Sequence, residues 1–303
     1  MIAGLPMYDR PELRDAHNRL WAAIRANLGF GPESLSSPTD MASFWQSEDL
    51  LFGQTCGMPY RTFLHDRVQL VATPDYGIDG CPPGYYRSAV IVNADSEIRE
   101  FGELAEKRIA YNEALSQSGW AAIIAEMEYA DMRPSSGLQT HAHINSAQTV
   151  SKKLADFAAI DAHTWALMCR YQTDLTRNLR VVHWTSPTPA LPYICATRFD
   201  AQAIFHAVQN ALNALPASVS ETLGIRDIIK IAKQDYLYVL TPSSPCNLFE
   251  PPNVREIIPQ PWLVYGCCCA EYPVLRFDQI HNRESREPTY PCHSNYKFAQ
   301  SLW

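Results

Sequence analysis

The segment Ser116-Gln117-Ser118-Gly119 carries the residue types of an oxyanion cradle. It lies between Arg108-Ile109-Ala110-Tyr111, which reads as a short buried strand, and the run Trp120 to Met127, which reads as a helix. A helix start leaves backbone N–H groups unpaired and carries the positive end of the macrodipole. Two hydroxyls there, with a glycine that opens the backbone to approach, suit an anion without any buried cation. The plainer use of Ser116 or Ser118 is to cap the helix, a common task of serine at that place.

Other polar residues also fall at the ends of predicted strands. Tyr8 follows the apolar run from Ile2 to Met7, Thr55 and Cys56 follow Leu50-Leu51-Phe52, and Asp161 follows Phe157 to Ile160. His143 falls within a possible strand from Gln139 to Ile144. Desolvating an anion is costly unless several donors replace its water. Ser116, Ser118, the N–H groups of Gln117 to Trp120, Thr55 and Tyr8 could together supply six or more. Each has a structural alternative: Thr55 as a helix cap, Tyr8 as a core aromatic, and His143 as a satisfied internal histidine. When protonated, His143 could instead give a charge-assisted bond. Asp161 would repel an anion unless a proton or an amine lies between them. It would therefore select a monoprotonated or amino-bearing ligand, or it simply caps the helix predicted over Ala162 to Tyr171.

Cys56 paired with one of nine histidines could be a nucleophile, but that needs a thiolate and a neighbouring base. No phosphate-binding loop, metalloprotease motif or nucleophile elbow is present. Nor does any Cys or His spacing match a zinc site, so neither a metal nor a cofactor is expected.

The elements that must position these residues alternate. After the first strand, Pro11 opens a helix with Leu13, His17, Leu20, Trp21, Ile24 and Leu28 on one face, closed by Gly29. A short helix from Thr39-Asp40 to Trp45 precedes Leu50-Leu51-Phe52, and Val68 to Ala72 is the next strand. This alternation is the grammar of a parallel sheet with right-handed crossovers. After the Pro- and Gly-rich loop 74–84, Ser88 to Val92 begins a second unit. Its further elements are a helix ending at Leu104 to Arg108, a helix from Ser118 to Tyr129, a helix from Ser146 to Leu154 and a strand from Leu179 to Trp184. The Pro187, Pro189 and Pro192 segment returns the chain to the first unit, where Ala201 to Leu215 and Ser218 to Leu223 form helices. Two α/β lobes joined by two crossings enclose a cleft, and open α/β sheets bind ligands at the carboxyl ends of their strands. The expected division is 1–86 with 186–303 as the first lobe and 87–185 as the second. From about residue 242 the periodicity fades into an irregular Pro- and Cys-rich arm assigned to the first lobe.

The 303 residues suffice for two lobes, and a net charge of −7 argues against a nucleic-acid or anionic-membrane surface. No apolar run reaches the length of a membrane span. Met1 to Tyr8 lacks the basic start of a secretory signal, so the expectation is a periplasmic chain if a leader has been removed and a cytoplasmic one otherwise. The nine cysteines are dispersed apart from Cys267-Cys268-Cys269, and their odd number leaves at least one outside any internal disulfide.

The order of these motifs resembles the phosphate/phosphonate-type periplasmic solute-binding proteins of ABC transporters, over roughly residues 2–240. Ser116-Gln117-Ser118-Gly119 is similar to the family's Ser-Thr-Ser-Gly cradle, with Gln in place of the middle Thr. Leu5-Pro6-Met7-Tyr8-Asp9 resembles its opening strand and turn. Gln54-Thr55-Cys56-Gly57 with Pro59-Tyr60 resembles its second turn, and Tyr86-Arg87-Ser88 its crossing strand. Phe157 to Asp161 is similar to the strand that ends in a ligand-facing Asp, whereas Thr140-His141-Ala142-His143 lacks the usual Gly and Ser. The resemblance implies an α/β fold of two Rossmann-like lobes with type II binding-protein topology. It implies a small anionic or zwitterionic ligand such as a phosphonate or phosphate ester, an ABC permease as partner, a monomer, and no catalysis. The ligand set it implies is Tyr8, Gln54, Thr55, Tyr86, Ser116, Gln117, Ser118, Gly119, His143 and Asp161. Two alternatives stay open: an enzyme on the same bilobed fold with thiamine-pyrimidine-like chemistry, and a ligand sensor without transport.

Overall fold

The computed structural model describes residues 1–249. Its strands are β1 (Ile2–Gly4), β2 (Leu50–Gln54), β3 (Val68–Asp75), β4 (Tyr85–Tyr86), β5 (Ser88–Asn93) and β6 (Arg108–Tyr111). They continue with β7 (Ser136–Gln139), β8 (Phe157–Asp161), β9 (Leu179–Trp184), β10 (Thr188–Pro189), β11 (Tyr193–Ala196) and β12 (Asp227–Ile229). One sheet runs β1-β2-β11-β3-β12 and the other β7-β6-β8-β5-β9. Each underlies one α/β lobe.

Neither sheet is wholly parallel, which corrects the expectation drawn from the alternation. β1 and β2 are parallel, but β11 returns from the second lobe and inserts antiparallel between β2 and β3. In the second lobe β6 is parallel to β7 and β8, while β5 is antiparallel to β8 and β9. Strands that have just crossed between lobes arrive reversed, and that topology is not visible in local periodicity. The continuous apolar runs of β5 and β8 fit strands covered on both faces.

In the first lobe the helix Arg14–Leu28 lays Leu20, Trp21 and Ile24 against Ile204, Val208 and Ala211 of the helix Ala201–Ala214. Trp21 stacks on Phe52 at 6.0 Å. Each fully buried Leu, Ile or Val here contributes about 1.5–3 kcal/mol. Gly29, at φ 76°, closes the first helix in the left-handed region, where glycine carries no Cβ penalty. In the second lobe Trp120, Ile123, Ile124 and Met127 fill the space against Val90, Ile109 and Phe157.

Local boundaries moved in several places. The first strand ends at Gly4 and Pro6–Tyr8 form a tight 3-10 turn, because Pro6 cannot donate to the ladder. No strand spans 139–144; β7 ends at Gln139 and His143 opens a helix that runs to Ser151. Phe101–Leu104 is one 3-10 turn, and Arg108 belongs to β6.

Two crossings join the lobes at 86–88 and 184–193, tied together by the β4–β10 ribbon and by Ser88 N–H donating to Thr185 Oγ1 at 2.9 Å. The chain then crosses again. Tyr236, in the first lobe, bonds Thr73 at 2.7 Å and Ala190 O at 2.8 Å, but Ser243 O accepts from Trp120 Nε1 at 3.0 Å. Phe249 packs on Trp120 at 5.9 Å. The arm expected to stay with the first lobe therefore lies across the second by residue 243. Its remainder, with Cys267-Cys268-Cys269 and Cys292, falls outside the described residues.

Candidate functional site

The cradle forms where β6 gives way to a helix, with an unexpected first turn. Residues Gln117–Ala121 make a wide π turn before the α-helix Ala122–Tyr129. Ser116 caps it: its Oγ accepts Gly119 N–H at 2.9 Å and its carbonyl accepts Ala121 N–H at 2.9 Å. Ser118 Oγ sits 3.0 Å from His143 Nε2, and its carbonyl accepts from Ser88 Oγ at 2.9 Å. Gly119 is favoured by its own lobe, since a Cβ there would stand 1.8 Å from Asn112 Oδ1, and the buried Asn112 would have to shift. Burial pulls the His143 imidazole down to about pKa 4, so its bond to Ser118 is a neutral one near pH 7. The charge-assisted bond expected of a protonated His143 is not made under those conditions.

Asp161 ends β8 and does two tasks. Its Oδ1 caps the next helix by accepting Thr164 N–H at 2.8 Å, and its Oδ2 accepts from Tyr8 OH of the other lobe at 2.9 Å. Burial raises its pKa to about 6, with the bonds from Thr164 and Tyr8 holding it from rising further. Beside this pair, His163 stacks on Tyr76 at 4.2 Å and meets Tyr8 edge-on at 4.9 Å. Tyr8, Tyr76, Asp161 and His163 thus seal one end of the seam between the lobes.

From the first lobe, Gln54 Nε2 donates to Tyr76 OH and Leu191 O, both at 3.2 Å, and so braces the seam. Cys56 Sγ accepts Gln117 N–H across the seam at 3.3 Å. Thr55 is fully buried, and among the described residues its Oγ1 has no hydrogen-bond partner. Tyr86 OH is likewise buried and makes no hydrogen bond of ordinary geometry, although Cys56, Asp161, Ser118 and Arg61 surround it. Burial pushes the Cys56 thiol up, away from the thiolate that a nucleophile requires.

The structure joins Tyr8 to Asp161 and Gln117 to Cys56 between the lobes and Ser118 to His143 within one, sets Gln54, Thr55, Tyr86, Ser116 and Gly119 in the adjoining turns and strands, and divides their work. A small cavity lined by Met7, Tyr8, Arg10, His143, Ile144 and Thr164 opens beside the seam. A cavity of about 200 Å³ between β3 and the start of the helix Ala201–Ala214 holds none of them.

Residues 2–236 match the family of ABC transporter phosphonate periplasmic substrate-binding proteins. The chain belongs to that family. No curated protein matches its sequence. Solved structures share its fold at low identity. PhnD1 from Prochlorococcus marinus in complex with methylphosphonate superposes with a TM-score of 0.61 at 12% identity, covering 78% of this chain and 93% of its own. A binding-protein component of an ABC phosphonate transporter from Pseudomonas aeruginosa gives 0.58 at 14%, covering 78% and 82%. A Xanthomonas citri protein bound to ATP gives 0.57 at 16%, covering 78% and 92%. No helix among the described residues is long and apolar enough to cross a membrane.

One residue of this substrate-binding protein escaped the sequence reading. Arg61, on a π turn over Tyr60–Leu64, is buried at the seam. Its NH1 donates to Gln117 Oε1 at 2.5 Å, its NH2 to Leu240 O at 2.9 Å and its Nε to Thr241 Oγ1 at 2.9 Å. The available signal was a lone cation in the apolar run Met58 to Leu64, directly after the second polar turn.

Proposed function

We propose that this chain is the solute-binding component of an ABC-type uptake system and holds a small phosphonate or phosphate ester in the seam between its lobes. The observation that supports this is the pair of buried hydroxyls beside the cradle: among the described residues Thr55 Oγ1 has no partner, and Tyr86 OH, near Ser118, has no bond of ordinary geometry. Buried polar groups almost always have partners, and an oxyanion offers acceptors to both. The neighbouring donor is also poorly matched. Gln117 N–H rests on a thiol sulfur, a weak acceptor, so exchanging it for an anionic oxygen is favourable.

In this reading the ligand set remains Tyr8, Gln54, Thr55, Tyr86, Ser116, Gln117, Ser118, Gly119, His143 and Asp161. Thr55, Tyr86, Ser118 and the Gln117 N–H touch the ligand. Ser116, Gly119 and His143 shape the cradle, and Gln54, Tyr8 and Asp161 close the seam over it. Entry requires the Tyr8–Asp161 and Cys56–Gln117 bonds to part, so the lobes hinge at the β4–β10 ribbon. Strand membership supports the division into 1–86 with 186 onward and 87–185, apart from residues 243–249. The partner is a permease, the protein works as a monomer in the periplasm, and it binds without turning over. The raised thiol pKa of Cys56 supports the last point against the enzyme alternative.

Calorimetry on the full chain with methylphosphonate and inorganic phosphate tests this. Saturable binding of one ligand per chain, with the ligand recovered unchanged, is expected. Absence of binding to both, or consumption of either, would overturn it.

A further inference from the structure

We infer that Arg61 is the residue that reads the charge of the ligand, making this cleft selective for a doubly charged phosphoryl or phosphonyl head over a singly charged one. The inference rests on the function proposed above. It goes further by adding a cation to a site whose sequence motifs contain none.

A buried charge is normally paired with an opposite charge, because desolvation is otherwise uncompensated. Arg61 is only 7% exposed, yet among the described residues it forms no ion pair with any carboxylate. Its three hydrogen bonds all go to neutral oxygens: an amide, a hydroxyl and a backbone carbonyl. Asp161, the buried carboxylate of the seam, is already engaged by Tyr8 and by the Thr164 N–H. The guanidinium is thus held in place by groups that satisfy its protons and leave its charge unneutralised.

Two of those holders lie on the third crossing. Leu240 O and Thr241 Oγ1 fix NH2 and Nε, and two residues later Ser243 is anchored on the second lobe by Trp120 Nε1 and by its own N–H donating to Glu128 Oε1 at 3.0 Å. The remaining nitrogen, NH1, points to Gln117, the residue that stands where the family's cradle has Thr. A glutamine oxygen satisfies that nitrogen at no cost in charge and yields readily to a stronger, anionic acceptor. Gln117 in the cradle and Arg61 opposite it are therefore one device. The amide holds the guanidinium at the seam, and the ligand's oxygen takes over NH1 from it. Desolvation lowers the guanidinium pKa only to about 10, so it stays charged at the pH of the test below.

The test compares two probes of nearly equal shape, methylphosphonate and methanesulfonate, by calorimetry on the full chain at about pH 8.5. There the phosphonate is a dianion and the sulfonate a monoanion. The parent is expected to favour methylphosphonate strongly. Arg61→Gln should weaken methylphosphonate by about 10- to 100-fold and methanesulfonate far less, collapsing the preference. Arg61→Lys should keep more of the preference than Arg61→Gln, because it keeps the charge. Thr241→Val frees one of the three anchored nitrogens and should weaken methylphosphonate about threefold with Arg61 still present. Should Arg61→Gln fail to fold, the lysine and Thr241 variants carry the test. Equal weakening of both probes, an unchanged preference, or identical losses in the Lys and Gln variants would each overturn the assignment. A parent that binds neither probe would overturn this assignment, and one that also fails to bind inorganic phosphate would overturn the function proposed above with it. A parent that binds methylphosphonate while Arg61→Gln discriminates as before would overturn this one alone.

Discussion

The two faces of the seam solve opposite problems. On the second lobe the hydroxyls and the carboxylate are held mainly by their own neighbours, with Ser116 capping Gly119, Ser118 meeting His143, Ser88 supporting Ser118 and Asp161 capping its helix. Asn112 Oδ1, His143 Nδ1 and His163 Nε2 make no hydrogen bond of ordinary geometry among the described residues. On the first lobe and the crossing strand, among the described residues, Thr55 has no partner, Tyr86 has none of ordinary geometry, Cys56 is a weak acceptor for a strong donor, and Arg61 has no carboxylate paired to it. One face is mainly a braced frame. The other is a set of donors lacking an anionic acceptor. Residues with the look of a cradle can therefore be largely the frame, with Ser118 and the Gln117 N–H as the parts of it that face a ligand, while the other groups that reach one come from the facing lobe. If this contrast holds, changes on the second-lobe face cost stability first, and changes on the first-lobe face cost binding first.

The largest expected effect is on the scaffold. Gly119→Ala places a methyl group 1.8 Å from Asn112 Oδ1, 2.9 Å from its Cγ and 3.2 Å from His143 Cε1. Asn112 is buried, so its side chain cannot simply swing away. Thermal or denaturant unfolding should show a loss of about 3 kcal/mol, as for overpacking a dense core. A variant as stable as the parent would mean that Asn112 yields freely and the glycine serves ligand approach instead.

Next in size is the pH response of Asp161. Its folded pKa of about 6 lies above the ordinary value of 3.8, so between those values the folded state holds a proton that the unfolded state has released. Stability therefore falls as pH rises from about 4 to 6 and stays lower above that. Asp161→Asn keeps an oxygen for the Thr164 N–H, presents an amide N–H to which Tyr8 OH can turn as acceptor, and has no such slope. The parent should lose about 2 kcal/mol relative to this variant across that interval. His17, His143 and His163, whose burial holds them near pKa 4, 4 and 3, give an opposite slope in both proteins and cancel in the difference. Denaturant titrations at a series of pH values measure it, and parallel curves would show that Asp161 is ionised throughout.

Much of the scaffold was legible in the sequence because caps and amphipathic spacing are local signals. The helices Arg14–Leu28 and Ala201–Ala214, the Gly29 stop and the Asp161 cap all follow from neighbours within a few residues. The antiparallel insertion of Tyr193–Ala196 was not legible, since its partners Gln54 and Ala72 lie more than a hundred positions away. The two π turns, at Tyr60–Leu64 and Gln117–Ala121, meet each other through Arg61 and Gln117, and helical periodicity cannot distinguish such a turn from an ordinary one. Tyr8, Thr55 and Asp161 were found as polar groups at strand ends. Arg61 was not, because a lone arginine after an apolar turn has no pattern of its own, and its role arises from a third crossing that composition hid.

A smaller effect belongs to the first-lobe face. Thr55→Val replaces an unpaired buried hydroxyl with a methyl of similar size, so stability should hold or rise slightly. Affinity for methylphosphonate should nevertheless fall about tenfold, the loss of one hydrogen bond to a charged group. Unfolding curves and calorimetry on the same preparation separate the two. A variant that loses stability and keeps its affinity would reverse the contrast at this position.

The smallest expected effect falls on Ser118, the one second-lobe side chain that could serve both purposes. A hydroxyl has one proton to donate and two lone pairs to accept with. If Ser118 donates to His143 Nε2, nothing remains for an anion, and the residue is scaffold like its neighbours. If the neutral imidazole carries its proton on Nε2 and donates to Ser118 Oγ, the hydroxyl proton is free to reach a ligand oxygen near Tyr86. The second arrangement keeps the 3.0 Å contact and gives the seam another donor, against the pull of the Ala159 carbonyl, which faces the ring and favours a proton on Nδ1. Ser118→Ala should then lower methylphosphonate affinity about fivefold and stability by about 1 kcal/mol, the size of one ordinary hydrogen bond in each case. Nitrogen NMR of His143 decides between the arrangements directly. A proton on Nε2 in the parent, with ligand binding weakened in Ser118→Ala, places this serine on the ligand's side of the division; a proton on Nδ1 with unchanged affinity returns it to the frame.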